Sequence, residues 1–215
     1  MSLKYTLITD GPSDRALLSV LNWVCREQYP GPVESQWFDP RPLSASLMPL
    51  GKRLRLSIEL YPCNILFVHR DSEGQDPQTR YDEISEAAES LSTAGESIPF
   101  ICVVPVRMTE AWFLFDEKAI RWASGNPNGK TALDLPILKT VERLPDPKSR
   151  LFESLKTASG LNTRRQKKLK LSQCRLRLAE RIVDFSPLRV LPAFQRLEND
   201  VQSFCRVLNE NGFQR

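Results

Sequence analysis

Two stretches of the chain, Cys63–Val68 and Ile98–Val106, are apolar at almost every position, and a third, Leu3–Ile8, is short and rich in β-formers. A strand with one wet face alternates polar and apolar residues. A near-continuous apolar run instead marks a strand covered on both faces, as in a parallel sheet. Between these runs the apolar spacing turns helical. Ala16, Leu17, Val20, Leu21 and Val24 recur with one period, and Tyr81, Ile84, Ala87, Ala88 and Leu91 line one face of a segment from Arg80 to Leu91. Val33–Phe38 reads as a further strand, and Leu43 to about Leu60 as a helix after the stiff turn Asp39–Pro42. The order is therefore βαβαβαβα, which predicts an α/β fold with a small, largely parallel sheet flanked by helices.

Past Asp116 the character changes. Gly125–Gly129, Leu135–Pro136 and Leu144–Pro147 make a loop-rich linker. Leu151–Thr157, Lys167 to about Val183, and Ala193–Leu208 carry helical spacing, and no strong strand follows Val106. The expected organisation is an α/β domain over 1–129 with a helical extension, 130–215, packed on it.

Composition excludes several classes. No apolar run approaches the roughly 20 residues that span a bilayer, so no membrane role is expected. Met1–Thr6 runs straight into a strand pattern without a signal peptide. The five cysteines are scattered without CxxC spacing, which reads as free thiols in a reducing cytoplasm. One histidine and no cysteine pair speak against zinc. The net charge of +4 is unevenly placed: Arg164 to Arg181 holds eight basic residues and one acid. Arg164, Arg165, Lys167 and Lys168, followed by Arg175, Arg177 and Arg181, are candidates for nucleic-acid phosphates or a solvated helix face. No aromatic residue is interleaved with them to offer a stacking platform. Trp112 and Trp122 are expected in the core or at an interface.

The strand ends carry the acids. Asp10 follows the first strand, with Asp14 one helical turn on; Asp71 and Glu73 follow the central strand; Glu110 stands at a helix start behind Thr109, an expected N-cap. Ser13 is the expected cap of the helix after the first strand. Ligands of open parallel sheets bind outside the carboxyl ends of the strands. Residues two apart in an extended loop point the same way, so Asp71 and Glu73 can reach one ion. Oxygen ligands of this type suit Mg²⁺ or Mn²⁺. Each group also has a plain reading, as turn, loop or helix-dipole acid. His69, the single histidine, lies beside these acids and is either an acid–base group or a hydrogen-bonded structural residue.

Asp10-Gly11-Pro12-Ser13-Asp14, Asp71-Ser72-Glu73 and Met108-Thr109-Glu110-Ala111-Trp112-Phe113-Leu114 together resemble the TOPRIM fold of topoisomerases, primases and OLD-type nucleases, and the small RloB-like TOPRIM proteins of bacterial phage-defence loci. The resemblance covers about residues 3 to 116. Two positions depart from it: the family's first acid is normally Glu, here Asp10, and its DxD is here DxE. The resemblance implies Mg²⁺- or Mn²⁺-dependent phosphodiester cleavage of DNA or RNA, with Asp10, Asp71 and Glu73 catalytic and Asp10, Asp71, Glu73 and Glu110 as metal ligands. Arg70 would touch phosphate. It also implies a separate ATPase partner in anti-phage defence, since this chain has no GxxxxGK[ST] loop. A catalytically degenerate binding subunit that docks a partner protein, and a phosphohydrolase for small phosphates, stay open beside it.

Overall fold

In the computed structural model, residues 2–39, 48–92 and 98–212 are described. Four strands, β1 (Leu3–Ile8), β2 (Val33–Phe38), β3 (Ile65–His69) and β4 (Phe100–Val103), form one sheet in the order β2-β1-β3-β4. All three pairings are parallel, with Leu7 opposite both Trp37 and Phe67, and Val68 opposite Cys102. The protein is thus α/β with an all-parallel sheet and helices on both faces. The helices are α1 (Leu17–Gln28), α2 (Leu50–Leu60), α3 (Pro77–Ser92), α4 (Glu117–Ala123), α5 (Pro147–Ser159), α6 (Thr163–Gln166), α7 (Leu171–Arg181) and α8 (Pro192–Gly212).

The pleat sorts the apolar residues of each strand into two cores. Tyr5, Leu7, Ile65, Phe67, Ile101 and Val103 face one side, in a single buried cluster with residues of α1, α4, α5, α7 and α8. Ile8, Leu66, Val68 and Cys102 face the other, against α2 and α3. Both faces of β3 are buried along its whole length, which is why its sequence shows no alternation. The C-terminal helices share the first core with the sheet, and Trp112 sits fully buried among them against Phe194.

Several sequence expectations shift in extent. The third strand starts two residues later and ends one later than Cys63–Val68, and the fourth covers only Phe100–Val103 of Ile98–Val106. The helix expected from Leu43 is present as Leu50–Leu60; residues 40–47, and with them most of the turn at Asp39–Pro42, lie outside the described residues, as do 93–97. The helix expected over Lys167 to about Val183 is present as α7, Leu171–Arg181, separated by a tight turn from α6, which ends at Gln166. Ahead of the expected linker, α4 forms because Asp116 caps it, accepting from the Ala119 amide at 2.9 Å, and Glu117 pairs with Arg121 one turn on. Pro12–Ala16 is a 3₁₀ turn with Gly11 at its start, so Ser13 caps nothing. Met108, not Thr109, stands at the N-cap of the 3₁₀ turn Thr109–Phe113.

The five cysteines are all free thiols. No helix among the described residues is long and apolar enough to cross a membrane.

Candidate metal centre

From β1 the chain crosses to β2 at one edge and then returns past β1 to β3. The carboxyl ends of β1 and β3 therefore flank a topological switch point, where the loops diverge and leave a crevice. A cleft of about 300 Å³ opens there, lined by Asp10, Asp14, His69, Asp71, Glu73 and Glu110 among others.

Each wall is fixed by hydrogen bonds. After β1, the Thr9 hydroxyl donates to the Gly11 carbonyl at 2.8 Å and accepts from Trp37 Nε1 at 3.1 Å. The turn that follows buries Asp14, whose Oδ1 accepts from the Ser13 hydroxyl at 3.1 Å. After β3, the backbone keeps pairing with the end of β4 and the segment beyond it, Arg70 N–H to the Val103 carbonyl and Glu73 N–H to the Arg107 carbonyl. The fully buried Ser72 hydroxyl accepts from the Arg107 amide at 2.7 Å. Gly74 then turns the loop at φ +86°, where a Cβ would press on the Arg107 guanidinium at 3.1 Å.

His69 is 2% exposed, and its Nδ1 lies 3.0 Å from the Val103 carbonyl. A carbonyl only accepts, so Nδ1 carries the proton and donates. In the neutral ring this leaves a lone pair on Nε2, with the Thr109 hydroxyl 3.4 Å away. Nε2 lies 3.5 Å from Asp71 Oδ1 and 3.9 Å from Asp14 Oδ2. Asp71 Oδ1 is oriented in turn by the Thr109 amide at 3.0 Å and the Thr109 hydroxyl at 3.2 Å. One ligand atom from each of Asp14, His69 and Asp71 falls within 4.8 Å of the other two. A backbone-anchored imidazole beside two carboxylates is a donor set that a divalent cation fits. Its nitrogen suits Mn²⁺ better than Mg²⁺, which prefers oxygen.

The four acids assigned to one metal shell from the sequence all line this cleft, but only Asp71 belongs to the close cluster. Asp10 is held by arginines. Arg53 Nη1 and Nη2 both donate to its Oδ1, at 3.1 and 3.0 Å, and Arg70 Nε lies 3.0 Å from Oδ2, close enough for an ion pair but poorly aligned for a hydrogen bond. Glu73 is mostly exposed, at φ +52°, with Arg80 3.7 Å away. Glu110 is buried in an ion pair with Arg175 of α7, itself 1% exposed. Every acid of the cleft except Asp14 and Asp71 thus has an arginine partner. Among the described residues, these two have no lysine or arginine within ion-pair distance, and one dication would neutralise them.

Burial is the main reason the Asp71 carboxyl is pushed up to about 6; a charged His69 would pull it down, while Asp14 and Glu110 push it further up. The unfolded carboxyl titrates near 3.9. Between the two values the folded protein holds a proton that the unfolded chain has lost. Metal-free stability therefore falls as pH rises from about 4 to about 6 and levels off above. Thermal melts in chelator should show this component in the wild type and lose it in Asp71→Asn; parallel pH profiles for the two proteins would refute the assignment.

The basic candidates divide. Arg70 is engaged by Asp10 and by Glu83, 3.0 Å from its Nη1. Arg164 and Arg165 on α6, and Lys167 and Lys168 after it, are exposed. Arg175 leaves this set, because it is buried as the partner of Glu110.

Asp14 and His69, which join Asp71 in the close cluster, are not among the ligands expected from the sequence. The signals were nonetheless present: His69 is two residues before Asp71 and so shares its side of the chain, and Asp14 lies in the 3₁₀ turn that follows Asp10. In comparisons with protein-family models, with curated proteins and with solved structures, no significant match to this chain is found.

Proposed function

We propose that the protein is a divalent-metal-dependent phosphodiesterase acting on nucleic acid, a TOPRIM-like nuclease working with a separate ATPase in bacterial anti-phage defence. The observation that carries the metal-dependent activity is the convergence of Asp14, His69 Nε2 and Asp71 at the switch point of the sheet. The nuclease, defence and ATPase parts rest on the resemblance of the three acid-bearing segments. In this reading the ligand set keeps Asp71 and takes Asp14 and His69 in place of Asp10, Glu73 and Glu110.

A bound Mn²⁺ or Mg²⁺ would supply Lewis-acid polarisation of a phosphoryl oxygen. The rest falls to the chain. Val103 fixes the tautomer of His69, and Thr109 aims Asp71. Arg53 and Arg70 hold Asp10 at the cleft wall, so that it shapes the pocket rather than ligating. The exposed cations Arg164, Arg165, Lys167 and Lys168 would meet substrate phosphates.

The test is cleavage of end-labelled DNA and RNA in Mn²⁺ or Mg²⁺, with calorimetry for Mn²⁺. Wild type should bind Mn²⁺ and cleave, with Mn²⁺ supporting more activity than Mg²⁺. His69→Ala should lose about tenfold or more in Mn²⁺ affinity. Mn²⁺ binding unaffected by His69→Ala would sink this ligand set. A second reading, a catalytically degenerate subunit that docks a partner, is favoured by one observation: Asp10 and Glu110 are tied up by arginines. It requires the wild type to bind no Mn²⁺ and cleave nothing.

A further inference from the structure

We propose that the groove between α4 and the end of α7 binds a nucleoside phosphate, with the base stacked on Trp122 and the phosphate held by Lys118 and Arg181. The groove has a volume of about 860 Å³, within the range of small-molecule sites. Phe115, Pro127, Val183 and Pro187 supply its apolar walls. Trp122 is 44% exposed, unlike the buried Trp112. The Arg181 guanidinium covers it 5.2 Å from the ring centroid, which leaves the remaining ring surface to the groove. Lys118 stands one turn before Trp122 on α4 and so shares its face.

The acids of the groove are already engaged. Asp116 caps α4, Glu117 pairs with Arg121, and Asp184 accepts from the Ser186 amide and hydroxyl, both at 2.8 Å. Among the described residues neither Lys118 nor Arg181 forms an ion pair, so both cations of the groove are available to a phosphate. A flat ring to stack on and two cations beside it are the features that recognise a nucleobase and its phosphate. The sequence places no aromatic residue within the basic run; the fold brings one to its end, from α4. None of the lining residues is shared with the metal cleft, so this site stands or falls apart from the proposed activity.

Calorimetry in chelator, which silences the metal cleft, tests it with adenosine monophosphate, adenosine, inorganic phosphate and a short oligoadenylate as probes. The monophosphate is expected to bind more tightly than adenosine or phosphate. Trp122→Ala should weaken it by about tenfold or more. Lys118→Ala should weaken the monophosphate and leave adenosine unchanged. Tighter binding of the oligoadenylate assigns the site to a nucleic-acid strand, and equal or weaker binding to a free nucleotide. The proposal is overturned if neither the monophosphate nor the oligoadenylate binds the wild type, or if they bind Trp122→Ala as well as wild type.

Discussion

Replacing Asp71 by Asn is expected to abolish metal-dependent cleavage, to lower Mn²⁺ affinity by more than about 100-fold, and to leave the metal-free fold at least as stable as wild type. Loss of groups that merely orient a ligand costs 10–100-fold in affinity, so loss of the ligand should exceed that. The stability arm runs the other way for a specific reason. At neutral pH the wild-type carboxylate is ionised in a buried place, beside Asp14 and near Glu110, and its proton is held up to about 6. Asn keeps an oxygen for the Thr109 amide and hydroxyl and removes the charge. Opposite signs in activity and stability mark a residue placed for function. Calorimetry, cleavage assays and melts in chelator read the three arms. Full activity in the variant would refute the role of Asp71, and a large drop in metal-free melting temperature would show the residue to be structural.

The second large effect is on stability. Arg175→Met should destabilise the protein by about 3–5 kcal/mol, the cost of leaving one partner of a buried ion pair unneutralised. Arg175 and Glu110 have side chains 2% and 4% exposed, so water cannot replace the lost contact. The stranded Glu110 charge would also lie nearer in effect to Asp71 and Asp14, and the metal-free site should resist ionisation further. The double variant Arg175→Met with Glu110→Gln removes both charges and should recover much of the loss, since neutral replacement of a buried pair is often tolerated. Urea unfolding of the four proteins closes the cycle. An Arg175→Met variant within about 1 kcal/mol of wild type would refute the coupling.

What the sequence made legible follows from which forces are local. The near-continuous apolar run of β3 and the helical spacing of α1 and α3 carry their own signatures, so the class of sheet could be read from them. The acid clusters sit at strand ends because loops follow strands, and their convergence follows from the strand order. Which acids are free for a ligand is a different matter. Asp10 and Asp14 look alike in sequence, and Arg53, which takes up Asp10, comes 43 residues later from a helix on the other layer. Glu110 is neutralised by an arginine 65 residues away. Arg175 itself reads as one more cation of a solvated run until α7 docks. The short α4 left too little periodicity to detect, at seven residues.

The distance along the chain between Glu110 and Arg175 also has a consequence for biosynthesis. At 5–20 residues per second, translation needs about 3–13 s to add the 65 residues that separate them. During that interval all four strands have been made, yet Glu110 has no countercharge and the sheet face that α7 and α8 will cover is open. The nascent chain therefore holds an unfinished pocket and a sticky apolar face, the condition in which chaperones engage clients. That face closes, and Glu110 gains its partner, only once α7 and α8 have emerged and docked.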